Sequence, residues 1–324
     1  MIKLFFRNSI LIFCVCSFCA CTINSIDELT GYDYQTIGDQ NLLSIALVND
    51  SLIYAAGGKR YYNGLLLKST DYGATWDSIP NNVAKIFYDL SITDLGQVFV
   101  STEDSKVMRQ NNFTDEFQVI QFNTRPSWMT LHSCNFFGDS YGMVVGGYGN
   151  AVGGLLRTTD AFETYEMDSF EVELRAVFVT NEQTAYIAGY GIIMKTIDFG
   201  ETWIPLNVEG DFFEDLYFPS EDIGYAIGQE GSIVKTEDAG ENWETLRKGN
   251  NLSQAKHRFN SIYFEDNLTG YLVGEKGLYW QTTDGGINWQ KFVLENENNL
   301  NDIVATSDLV FIVGDNGSII KLAK

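Results

Sequence analysis

The sequence predicts an all-β protein: a seven-bladed β-propeller of four-stranded blades, its last blade closed by an N-terminal strand. Three observations lead there. The pattern Ser/Thr-x-Asp-x-Gly-x-x-Trp occurs four times, ending at Trp76, Trp203, Trp243 and Trp289. Short apolar segments begin at Leu43, Ile86, Leu131, Leu174, Phe213, Phe259 and Leu300. Their spacing of about forty residues is the period of a four-stranded blade. No stretch carries convincing helical periodicity.

Each repeat has the same parts. One copy runs Phe213 to Phe218, Gly224 to Gly228, the turn Gln229-Glu230-Gly231, Ser232 to Lys235, and then the box, Thr236 to Trp243. The pieces are short and apolar or alternating, and Gly, Asp and Asn bound them, as strands require. In the box, Asp71, Asp198, Asp238 and Asp284 are expected to cap turn N–H groups. The Gly takes positive φ, and the Trp starts the fourth strand and packs inward. The third copy keeps Asp160 and an aromatic, Tyr165, but loses the Gly; the second has Asn112 for the Asp and Phe117 for the Trp. The seventh ends at Gly314 to Lys321, before its box, so it has three strands of its own. Tyr32 to Ile37 alternates and has no other partner, so it is expected to supply the fourth strand and remove an open edge.

The N-terminus reads as a targeting segment. Lys3 and Arg7 form a charged region, Ile10 to Phe18 an apolar one, and Ala20-Cys21 a cleavage site. This resembles a bacterial lipoprotein signal over residues 1–20, with Cys21 as the acylated residue. Residues 21–31 are then a lipid-anchored tether and 32–324 the propeller. Cys14, Cys16, Cys19 and Cys21 lie in or at the end of the signal, leaving Cys134 alone in the folded part. No intrachain disulfide is available there.

The net charge is -22 from 21 Lys+Arg and 43 Asp+Glu. Such a surface repels phosphate backbones, so nucleic acid is not an expected partner. With only His132 and His257, a His/Cys metal site or a Ser-His-Asp triad finds too few members. No metal and no cofactor are expected. One Asp per box also lacks the several oxygens that calcium takes.

From Gly228 to Trp243 the chain carries a G-x-x-G turn followed by I-x-K-T-x-D-x-G-x-x-W. It resembles the Asp-box (BNR) propellers over nearly all of 32–324, and within them the photosystem II stability/assembly-factor type. That resemblance implies a non-catalytic platform for protein partners, here envelope or exported proteins, in a lipid-anchored monomer of the bacterial cell envelope. Sialidases carry the same box, so a carbohydrate-binding or glycoside-hydrolase propeller, with glycan ligands, is the alternative. A sialidase needs three converging arginines, and Arg109 and Arg157 sit beside boxes, away from the channel mouth. Arg125-Pro126 does not match the sialidase Arg-Ile-Pro motif. Glu214 and Asp302 are the carboxylate pair that a glycosidase reading would use.

Ligand contact is expected on the face opposite the boxes. The second position of each inner strand gives a ring of Ser44, Phe87, His132, Arg175, Glu214, Asn260 and Asn301. Two longer turns on the same rim carry Arg60, Tyr61 and Tyr62, and Tyr148 and Asn150. Exposed tyrosines offer rigid area with a hydrogen-bonding tip.

Overall fold

Strands of alternating or wholly apolar residues, punctuated by Gly and Asp turns, build this chain without a single α-helix among the described residues. A computed structural model of the protein describes residues 27–324 other than 112, 125, 126, 209, 210, 250, 252–255 and 296. The expected signal over residues 1–20, Cys21, Asn112 and Arg125-Pro126 therefore lie outside the described residues. Seven sheets form, each with four antiparallel blade strands that in all but the last sheet follow sequence order from the channel outward. The inner strands are Asn41–Leu47, Phe87–Ile92, Thr130–Phe137, Leu174–Val179, Phe213–Tyr217, Phe259–Phe264 and Leu300–Ala305, and they number blades 1 to 7. The seven-bladed propeller predicted from the repeats is the observed fold.

The core is divided among the seven blade interfaces. Tyr186, Ala188 and Ile193 of blade 4, for example, meet Phe213, Leu216, Phe218 and Val234 of blade 5 in one buried cluster. Trp243 packs against it. Trp76, Trp203 and Trp289 occupy matching places at other interfaces, and all four are half-buried rather than enclosed. Each indole covers the outer part of a seam, so one side of its ring stays near solvent.

The boxes are more than turns. Asp238 Oδ1 accepts from the Thr236 hydroxyl at 2.9 Å and from Asn242 N–H at 2.8 Å, while Oδ2 accepts from the Asn242 amide at 2.7 Å. The same set recurs at Asp71, Asp160, Asp198 and Asp284. Bonds from Thr75 and Thr202 hold the Asp71 and Asp198 carboxyls at about 2. Gly73, Gly200, Gly240 and Gly286 all take positive φ. Phe162 replaces the Gly of blade 3 at φ 64, its ring buried in the interface with blade 2. That burial offsets the left-handed backbone.

The box turns of blades 3, 4 and 5 also receive a cation from the blade before. Arg109 Nη1 donates to Ala161 O at 3.0 Å, Arg157 Nη1 to Phe199 O at 2.9 Å and Lys195 Nζ to Ala239 O at 2.7 Å. Glu163, Glu201 and Glu241 of the same turns pair with these cations at 2.8, 3.0 and 3.6 Å. The basic residue that precedes the box thus latches the following blade.

Closure follows the predicted plan. Tyr32–Thr36 lies antiparallel on Ser318–Ala323, with Tyr32 opposite Leu322 and Thr36 opposite Ser318. The expected tether is not free along its whole length. Asp27–Glu28 forms a short strand parallel to Gln290–Val293, the outer strand of blade 6, and Leu29 packs into the interface of blades 6 and 7. We expect removal of residues 32–37 to cost about 3–5 kcal/mol, the worth of five or so ladder bonds. Removal of residues 22–25 should leave the melting temperature unchanged. Equal melting of the two deletions would contradict closure through this strand.

Candidate functional site

The channel mouth is built by a β-bulge that recurs in every inner strand. Pairing with the second strand skips one residue, at Leu43, Tyr88, His132, Arg175, Glu214, Asn260 and Asn301. A bulged residue leaves the ladder and re-aims its side chain. These seven line a cavity of about 200 Å³ at the mouth. His132, Arg175, Glu214, Asn260 and Asn301 stand where the sequence places them. Ser44 and Phe87 do not: the repeat starts at Leu42 and Phe87, so their ring positions are Leu43 and Tyr88. Phe87 is fully buried between blades 1 and 2, and Ser44 bonds Asp89 at 3.0 Å. No sequence signal marks a bulge, and a one-residue slip exchanges core for channel.

Beneath the mouth, three aspartates one residue further along carry the inner strands. Asp89 Oδ2 accepts from Cys134 N–H at 2.9 Å, Asp215 Oδ2 from Ile262 N–H at 2.9 Å and Asp302 Oδ2 from Ile45 N–H at 2.8 Å. Each bond crosses to the next blade. Burial pushes the Asp302 carboxyl up to about 6, and pushes Asp89 and Asp215 up as well. Asp302 also accepts from Ser261 at 2.7 Å and Ile303 N–H at 2.8 Å. It is therefore a strand clamp and a poor partner for Glu214 in a glycosidase pair. Glu214 accepts from Gln229, which in turn accepts from Arg258 Nη2 at 2.8 Å.

Two charge clusters support one side of the mouth. Glu173 Oε1 lies 2.9 Å from His132 Nε2 and 3.3 Å from Arg175 Nε, and Oε2 accepts from Asn150 N–H at 2.8 Å. Burial works to raise the Glu173 carboxyl, but the His132 and Asn150 bonds and the Arg175 charge outweigh it, leaving about 2. Burial pushes His132 down to about 4. Arg175 Nη1 lies 3.4 Å from His132 Nδ1, so the neutral ring donates through Nε2 and accepts through Nδ1. Both nitrogens are occupied, and His132 acts as a spacer. In the second cluster Glu103 accepts from Arg60 Nε at 3.0 Å and from Tyr88 at 3.1 Å, with Lys85 at 3.7 Å. Sequence reasoning missed Glu103, Glu173 and Lys85 because they lie in turns and blade connections with no repeat to mark them.

Above these clusters the hairpins of blades 1 and 3 extend two residues beyond the point where the second strand ends elsewhere, at a glycine in blades 4 to 7 and at Thr102 in blade 2, reaching Lys59–Asn63 and Tyr148–Val152. They stand as two lips on either side of blade 2. Tyr61 and Tyr62 are 64% and 71% exposed, Tyr148 is 55% exposed, and Trp128 sits edge-on against Tyr148 at 4.4 Å. Tyr61 holds φ at 68 with the Arg60 and Lys85 cations 5.0 and 5.1 Å from its ring. Asn150, at φ 64, tips the other lip. A bulky residue at positive φ is uncommon and collects at functional sites.

Among the described residues no group of three or more His, Cys, Asp or Glu side chains could hold a metal ion. The channel aspartates yield a pH test. A folded-state pKa raised to about 6 contributes stability that is complete below the unfolded value of about 3.8 and is lost as pH rises through 6. For Asp302 this amounts to up to about 3 kcal/mol. Asp302→Asn should flatten the stability profile between pH 4 and 7 relative to the parent, read by denaturant titration at each pH. Parallel profiles would show that Asp302 does not titrate in this window.

Comparisons with known proteins agree with this architecture. The family model described as photosynthesis system II assembly factor YCF48 matches residues 204–301, under a third of the chain. A comparison with curated protein sequences finds no match. Among solved structures, YCF48 bound to D1 peptide is 17% identical, covering 93% of this chain and 98% of that chain at a TM-score of 0.70. YCF48 from Cyanidioschyzon merolae is 13% identical, covering 90% and 98%, at 0.67. Virginiamycin B lyase from Staphylococcus aureus, in its selenomethionine-substituted form, is 9% identical, covering 91% and 100%, at 0.74. At these identities the likeness is one of fold: the chain is a β-propeller similar to YCF48, and the same fold also carries an enzyme.

Proposed function

We propose that this protein is a non-catalytic, lipid-anchored platform of the bacterial cell envelope that binds envelope or exported proteins through the lips of its channel mouth. The observation that carries the reading is the asymmetry of that rim. Blades 1 and 3 alone raise their hairpins, and these place Tyr61, Tyr62 and Tyr148 in solvent beside Arg60, Lys85 and Arg175. Aromatic residues and Arg are the side chains from which binding hot spots are made. A partner that lays a segment across blade 2 meets rings on both sides and charged groups below.

The YCF48 structure with a D1 peptide supports peptide or protein as the class of partner for a propeller of this kind. The net charge of -22 argues against nucleic acid. The occupied nitrogens of His132 and the clamp role of Asp302 argue against acid–base catalysis at the mouth. Anchoring at Cys21 rests on the sequence of the N-terminal segment. Glycan binding through the same tyrosines is the second reading, since exposed rings also stack on sugars.

A photo-crosslinking residue placed at Asn63 in cells should capture the partner, which is then purified. Changing Tyr61, Tyr62 and Tyr148 to Ala should weaken its binding by ~1–3 kcal/mol per residue while leaving thermal stability nearly unchanged. Full affinity in the folded triple variant would overturn the assignment. A glycan array that lights up with the parent and not with the variant would select the second reading.

A further inference from the structure

The charge of the channel mouth is one-sided. The carboxyls of Asp89, Glu214, Asp215 and Asp302 line its cavity of about 200 Å³, and Arg175 is the one cation beside them among the described residues. His132 lines it too, but burial keeps its ring neutral. Burial disfavours ionisation of all four carboxyls, and at Glu214 the Arg175 charge offsets this only in part. A further positive neighbour would stabilise each in its charged form.

The amides of the ring are oriented for the same kind of guest. Asn260 Nδ2 donates to Leu300 O at 2.8 Å, and Asn301 Nδ2 donates to Leu42 O at 2.8 Å and Asp315 Oδ1 at 3.1 Å. A backbone carbonyl only accepts, so these bonds fix which end of each amide is the NH₂. Asn260 Oδ1 and Asn301 Oδ1 are thereby left without a partner among the described residues. So is Glu214 Oε2, since Oε1 accepts from Gln229. The bulges at Glu214, Asn260 and Asn301 set these open acceptors on three successive blades, 5 to 7. Across the mouth, His132 and Arg175 are drawn to Glu173, and Tyr88 donates to Glu103.

We propose that the channel mouth takes a lysine or arginine side chain of the partner, its N–H donors directed to Glu214, Asn260 and Asn301. The inference rests on the platform reading above, in which a partner's segment crosses the lips. Acceptors spread over three blades suit a cation that carries its charge on several donors, three on an ammonium and five on a guanidinium. Arg60 and Lys85 on the way in are paired with Glu103 and Asp104, so they do not bar a basic side chain. The cavity is smaller than the ~300 Å³ at which small-molecule sites begin, and a single side chain fills it. The net charge of -22 draws basic segments toward the protein as a whole.

The test uses full-length protein and fluorescent glycine pentapeptides, blocked at both ends, whose central residue is Lys, Arg, Gln or Glu. Binding is followed by anisotropy up to millimolar protein. The Lys or the Arg peptide should bind at least about tenfold more tightly than the Gln and Glu peptides, as one charge-assisted hydrogen bond requires. The comparison of Lys with Arg tells ammonium from guanidinium. Glu214→Gln should abolish the preference, whereas Arg175→Gln, which removes the cavity's own cation, should enlarge it. A damaged mouth would weaken both variants alike, and thermal melting reads such damage separately. Equal binding of all four peptides, no binding by any, or a preference unchanged in a folded Glu214→Gln would overturn the inference. The preference should persist when Tyr61, Tyr62 and Tyr148 are changed to Ala, so the mouth can fail this test while the lip reading stands, and the reverse.

Discussion

A propeller must close on itself, and that requirement governs everything else in this chain. Seven sheets twist about one channel, and none has a face it can bury alone. The stabilising contacts are those between blades, so an imperfect seam would leave apolar surface and strand edges in water. Two devices, each found in three of the blades, serve the seams. Near the channel, Asp89, Asp215 and Asp302 accept from the backbone of the following blade. At the rim, Arg109, Arg157 and Lys195 reach the next box turn, whose indole covers the seam. The seam between the chain ends is made by the same packing, with Leu42, Ile45 and Trp76 of blade 1 against Phe311, Val313 and Ile319 of blade 7.

Once the seams are uniform, departures from the repeat become informative. The box face repeats in blades 3 to 5, where glutamates answer the latching cations. The opposite face is irregular wherever strand pairing no longer constrains it. There the two raised hairpins and the Glu103 and Glu173 clusters give one arc of the mouth a mixture of rings and charges. On the proposed reading, stability and recognition fall on opposite faces, and a substitution on one has little reason to disturb the other.

Much of this was legible in the residues. The Asp and Trp of each box fixed strand positions, the forty-residue spacing fixed the blade number, and the unpaired Tyr32 to Ile37 segment pointed to closure. The mouth was legible at five of seven positions. It failed at Ser44 and Phe87 because bulge placement depends on pairing with a neighbour, which leaves no local mark. The latches escaped notice for a related reason: Arg157 and Lys195 look like ordinary exposed cations until the next blade is set beside them. The tether strand at Asp27–Glu28 was missed because two residues carry no periodicity.

The central claim is that the ring has no weak seam, although its ends are joined without a covalent bond. Native-state hydrogen exchange measures this directly. The account predicts that amides of Ser318–Ala323, beneath the closing strand, open with the same free energy as those of Ala185–Gly189 in the uninterrupted blade 4. Markedly easier opening at Ser318–Ala323 would mean that the ring is held shut only loosely and that the closing strand is an ornament on a six-bladed core.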